Sequence, residues 1–99
     1  MTKKRRVLKS TLRPETVGKR LQQLRHALGH RQTTIAYNTG ISPPSWNKYE
    51  RGAEVISVYH ALEVARVTGA TLDWIYSGRE SDLSPQLARL LKASHRLRD

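Results

Sequence analysis

Apolar residues recur at helical spacing along most of the chain, and no period-two alternation of useful strand length occurs. Val17, Leu21, Leu24 and Leu28 follow at intervals of four, three and four, marking one face of a first helix. Pro14 suits the first turn of that helix, where its missing N–H costs nothing, and Gly29 fits a left-handed cap at the end. Gln32 to Asn38 reads as a short second helix with Ile35 and Ala36 inward, broken at Gly40, where a tight turn needs a positive φ. Ser42 then caps a third helix that turns Trp46 and Tyr49 inward and stops at Gly52. Ile56 to Val67 supplies a fourth, with Val58, Leu62 and Ala65 or Val67 expected on its buried side. Thr71 caps a fifth of one to two turns, TLDWIY, closed by Gly78. The fold class is therefore all-α.

Ser84-Pro85 opens a last helix with a cap residue and a proline at the first position. Leu83, Leu87, Leu90, Leu91 and Leu97 align along one side of it, with Ser94 interrupting the same face. Such a stripe needs cover, since each Leu left wet forgoes about 1.5–3 kcal/mol. It is expected either to fold back on its own domain or to meet the same helix of a second subunit. The dimer is the reading adopted, because symmetric pairs are the commonest assembly of small repeat-free domains. The chain thus divides into a basic arm at 1–13, a helical domain at 14–79 and a C-terminal dimerisation helix at 82–98.

Composition narrows the function. With 37% hydrophobic residues and no Phe among 99, the core must be modest and rest on Leu, Ile, Val and two Trp. The absence of Cys removes disulfide and thiolate-metal chemistry and points to a cytoplasmic compartment. No stretch approaches the ~18 apolar residues of a membrane span, and the N-terminus lacks a signal-peptide apolar region. The net charge of +10 is unevenly placed: residues 1–31 hold ten Lys or Arg against Glu15, whereas 32–99 are nearly balanced. A field concentrated at one end suits a polyanionic partner, with nucleic acid favoured over an anionic membrane surface. A solubilising tail is the plainer alternative. Lys3, Lys4, Arg5, Arg6, Lys9 and Arg13 place much of this charge on the arm, where it would track a phosphate backbone or enter a minor groove.

The segment RQTTIAYNTGISPPSWNKYERG, residues 31–52, has the pattern of a helix-turn-helix: two short helices joined by a glycine-bearing turn, the second entered through a cap. Ala36 is small where the helices cross, Ile41 plugs the gap between them, and Trp46 anchors the second to the core. Pro44, Ser45, Asn47, Lys48 and Arg51 are left on outer faces.

At these residues the chain resembles the lambda-repressor-like (Cro/CI, Xre-type) DNA-binding domains. The resemblance covers about residues 16–78 and rests on VGKRLQQLR, Gln32, Ile35-Ala36, the YERG run at 49–52 and TLDWIYSG at 71–78. It implies a five-helix bundle that binds operator DNA, most often as a dimer, in a bacterial or phage-infected cytoplasm. Gln32 would bond a phosphate and brace the third helix, Ser45, Asn47 and Lys48 would touch bases or nearby phosphates, and Arg25 and Glu50 would form a buried structural ion pair. The expected DNA surface comprises Gln32, Thr33, Ser42, Pro44, Ser45, Asn47, Lys48 and Arg51, together with Arg31 and the arm residues Lys3, Lys4, Arg5 and Arg6. The chain departs from the family where Pro43 and Pro44 replace hydrogen-bonding readers, often Gln, which leaves Pro44 only apolar contact such as a thymine methyl. It departs again at Arg31, where a Ser, Thr or Asn usually caps the second helix; Arg31 either reaches a phosphate or is a solvated charge.

Other chemistry finds no support in the sequence. His26 and His30 are four apart, but Gly29 falls between them and no third ligand is spaced to join. His60 and His95 read as isolated helix-surface residues, and Glu50 is better matched to Arg25 than to Glu54. No nucleophile–base order or phosphate loop stands out, so neither an enzyme nor a cofactor is expected. The expected function is a sequence-specific, double-stranded DNA-binding transcriptional regulator, a repressor acting as a dimer by operator occupancy. Two alternatives stay open: an antitoxin-type protein-interaction module whose C-terminal helix covers a partner, and a non-specific nucleic-acid binder. No effector domain or inducer is expected.

Overall fold

The computed structural model describes the backbone of residues 12–98 and side chains through Ser94, and among these described residues six helices account for nearly all of the regular structure. They are α1 (Pro14–Ala27), α2 (Gln32–Thr39), α3 (Pro43–Glu50), α4 (Val58–Thr68), α5 (Leu72–Ser77) and α6 (Pro85–Arg98). No strand occurs among the described residues. Four helix starts are fixed by a hydroxyl that accepts an otherwise orphaned backbone N–H. Ser42 accepts from Ser45 at 3.3 Å, Ser57 from His60 at 3.1 Å, Thr71 from Trp74 at 3.0 Å and Ser84 from Leu87 at 3.2 Å. Between α2 and α3 the chain reverses through Gly40 at φ +70°, and Ile41 donates to Ala36 O at 3.0 Å, closing the end of α2.

Leu21 and Leu24 of α1, Ile35 of α2, Trp46 of α3, Val64 of α4 and Ile75 of α5 meet in one fully buried core. Thr39 sits among them with its hydroxyl donating back to Ile35 O at 2.8 Å, so the buried polar atom is satisfied. Tyr76 reaches across to Ile56 O at 2.7 Å; burial, and secondarily Tyr49, pushes its phenol above the ordinary tyrosine value. Arg20 donates from Nη1 to Ile75 O at 3.1 Å, tying α1 to α5, and burial draws its pKa below the usual arginine value.

Two sequence expectations are corrected here. In α4 the buried positions are Ala61 and Val64, not Val58, Leu62 or Val67, and Ala65 is only half-buried. Val58 and Leu62 are 57% and 51% exposed. The cause is phase: Ser57 caps the helix, so Ile56 precedes it as a separate core residue, and the small Ala61 takes the inward position.

The second correction concerns α6. It packs chiefly on α1, with Leu83, Leu87 and Leu91 only 9%, 2% and 6% exposed in the chain's own core. Ser84 N also donates to Gly69 O at 3.3 Å, joining the start of α6 to the end of α4. These three leucines are therefore covered by the chain's own core, the fold-back of the two arrangements expected for the stripe. Leu90 is half-exposed, Ser94 is partly buried, and the Leu97 side chain lies outside the described residues, as does the arm through residue 11. The five-helix unit and the C-terminal helix share one core.

Candidate nucleic-acid interface

Gly18 lets α3 lie against α1. A Cβ there would stand 2.4 Å from Tyr49 O and 2.6 Å from Glu50 O, so only glycine admits the last turn of α3 this close. The contact is locked by Arg25, whose Nε and Nη2 donate to Glu50 Oε2 and Oε1 at 2.6 and 3.1 Å. Arg25 Nη1 donates in addition to His30 O at 3.1 Å. Trp46, fully buried, donates its indole N–H to Glu50 Oε2, and Gln32 Nε2 donates to Glu50 Oε1 at 3.0 Å. Burial pushes the Glu50 carboxyl up, but the bonds from Arg25, Gln32 and Trp46, with the charge of Arg25, outweigh it, and the pKa lies below the ordinary value.

From this buried centre a chain of bonds runs outward. Asn47 Nδ2 donates to Gln32 Oε1 at 3.2 Å, and Arg51 Nε donates to Asn47 Oδ1 at 3.0 Å. Gln32 thus bonds to side chains of α3 at both ends of its amide, the bracing that the family resemblance implied. Ser42 and Ser45 pair through their hydroxyls at 2.9 Å. Pro43, Pro44, Asn47, Lys48 and Arg51 are exposed and Ser45 is partly so, while Trp46, Tyr49 and Glu50 face inward. Thr33 and Arg31 are exposed at the start of α2, where Arg31 occupies the cap position and its side chain makes no capping bond. Lys3, Lys4, Arg5 and Arg6 lie outside the described residues.

Several participants were not legible beforehand. Gly18 carries a sequence signal, an isolated glycine inside a helical pattern, but that signal does not say which element approaches it. His60, read as an isolated surface residue, instead bonds Tyr49 Oη through Nδ1 at 2.6 Å and meets its ring edge-on at 5.7 Å, joining α4 to α3. The bond of Asn47 to Gln32 left no sequence signal, whereas Asn47 and Arg51 stand four apart, a spacing that brings side chains together on a helix. His26 and His30 both border a cleft between α1 and α6, but no three His, Cys, Asp or Glu side chains converge on a metal position among the described residues. Among those residues no helix is long and apolar enough to cross a membrane.

A short helix held from behind by a buried ion pair, and delivered by a glycine turn from a helix that braces it, defines a helix-turn-helix domain. Residues 16–73 match the family described as helix-turn-helix domain, and the chain belongs to it. It is similar, at 36% identity over 64 residues, to an uncharacterized transcriptional regulator in the ATPase CF(0) region of Rhodospirillum rubrum. That match spans 65% of this chain and 59% of the relative's length. No solved structure matches the chain.

Proposed function

We propose that the protein is a DNA-binding transcriptional regulator of the Cro/CI, Xre type, and that it represses by occupying an operator. The observation that carries this reading is the outer face of α3: Pro44, Ser45, Asn47, Lys48 and Arg51 stand clear of the fold while Trp46 anchors the helix beneath them. In this reading α3 enters the major groove, Gln32 and Thr33 approach a phosphate at the start of α2, and the basic arm follows the backbone. An eight-residue helix is about 12 Å long and spans only a few base pairs, so recognition of a unique site calls for two half-sites and a homodimer. Because Leu83, Leu87 and Leu91 are covered by the domain's own core, a second copy or a protein partner would meet other side chains than these. The function is one of binding, with no catalytic step, and is exercised in the cytoplasm. A related protein described as a transcriptional regulator supports the same assignment.

The test is selection of bound duplexes from a random DNA pool by the full chain. Enrichment of a two-fold-related motif, with half-sites about 10–10.5 base pairs apart or a multiple of that, is the expected result. Retention of duplex with no sequence enriched would replace this reading with non-specific binding.

A further inference from the structure

We propose that Arg51 reads a guanine in each half-site and that Asn47 is the residue that positions it. The inference rests on the DNA-binding reading above and assigns a particular base contact within it. The first half of α3 is poor in readers: Pro43 and Pro44 carry no hydrogen-bonding side chain, and the Ser45 hydroxyl is already paired with Ser42 at 2.9 Å. Direct readout therefore shifts toward the far end of the helix, where Asn47, Lys48 and Arg51 are exposed.

Of these, Arg51 has the donor geometry that a guanine edge demands. Its Nε is engaged by Asn47 Oδ1 at 3.0 Å, which leaves the two terminal nitrogens as a planar pair of donors. Guanine N7 and O6 in the major groove form the matching pair of acceptors. The pose is fixed before DNA arrives. Asn47 is held by Gln32 at 3.2 Å, Gln32 by Glu50 at 3.0 Å, and Glu50 by the two-pronged bond from Arg25 within the fold. A surface guanidinium is thereby connected through two side chains, Asn47 and Gln32, to a buried ion pair, and its rotamer freedom is already restricted. Lys48 has no such fork and no side-chain partner among the described residues; a compact point charge suits a phosphate.

The experiment uses the full chain and the same random-duplex selection for wild type, R51K and N47A, with thermal melts of each. R51K keeps the charge and removes the fork. The expected result is a wild-type motif in which one guanine column per half-site disappears in R51K, with affinity for the wild-type duplex lowered about tenfold. N47A should relax the same column and no other, and adding it to R51K should cost nothing further, because both act on one contact. Replacing that guanine with 7-deazaguanine, which lacks N7, should weaken wild type by about the same factor and leave R51K unchanged. If R51K retains the column, or weakens all sequences equally, Arg51 contacts phosphate or nothing and the inference is overturned while the regulator reading stands. If wild type selects no motif at all, the regulator reading fails and this one falls with it.

Discussion

Glu50 collects donors from three helices: Arg25 from α1, Gln32 from α2 and Trp46 from α3 itself. Its folded pKa lies below the ordinary glutamate value, so its stabilising contribution is complete above the unfolded value of about 4.3 and is lost as pH falls through the folded one. Glu50→Gln should destabilise by roughly 3 kcal/mol near neutral pH, since it leaves Arg25 buried without its counter-charge. Urea unfolding at pH 7 and at pH 3 checks this: the gap between variant and wild type should narrow at the lower pH. Gly18→Ala sets two effects against each other. Alanine gains about 1 kcal/mol in helix propensity, but its methyl would meet two backbone carbonyls at 2.4 and 2.6 Å, which cannot rotate away. Overpacking should prevail, with a net loss of about 1–3 kcal/mol and a displaced α3, seen as a lower melting temperature together with weaker DNA binding. At this scale the sequence was partly readable. Helical phase put Asn47 outside and Trp46 inside, and the family resemblance paired Arg25 with Glu50. The bonds of Asn47 to Gln32 and of Tyr49 to His60 depend on how separate helices cross, and no local pattern records that.

The start of α3 shows what two prolines do for a helix. They occupy the first positions, where missing N–H groups cost nothing, while Ser42 accepts from Ser45, the first residue after them with a donor to give. Ser42→Ala should cost about 1 kcal/mol and lower the melting temperature by roughly 4–8 °C, measurable by circular dichroism. The same chemistry made most element boundaries legible: Ser42, Thr71 and Ser84 cap the helices assigned to them, and Gly40 turns left-handed as expected. Where a cap was missed, the face was missed as well. Ser57 was available as a signal, and starting α4 there rather than at Ile56 turns Leu62 outward and Ala61 inward. Size is no guide here either, because the larger apolar side chains Val58 and Leu62 lie outside while Ala61 is buried. A helix seated close against its neighbours presents a small residue at the contact.

Across the whole molecule the basic residues divide by task. Arg20 and Arg25 near the N-terminal end are structural, bonded to Ile75 O and to Glu50, so the charge of residues 1–31 overstates what is available to a polyanion. The arm is the larger reserve. Deleting residues 1–9 should flatten the log–log salt dependence of DNA binding by roughly 0.9 for each phosphate the arm neutralises; an unaltered slope would assign it no role. The leucines of α6 give a second check. Leu87→Ala should destabilise by roughly 2–5 kcal/mol, with a melting temperature that falls equally at low and high protein concentration. A concentration-dependent loss would instead place Leu87 between subunits. The stripe was plain in the sequence, but its partner was not, since amphipathicity shows that a face needs cover and leaves open which surface supplies it.

Because Leu83, Leu87 and Leu91 complete the surface beside α1, synthesis order acquires a consequence. A nascent chain that has emerged only as far as Gly78 contains the entire helix-turn-helix, yet it exposes the apolar side of the helix that supports it. The helix-turn-helix is made first and steadied last, so a chain truncated before residue 85 should melt at a lower temperature and be cut faster by a protease than the full chain.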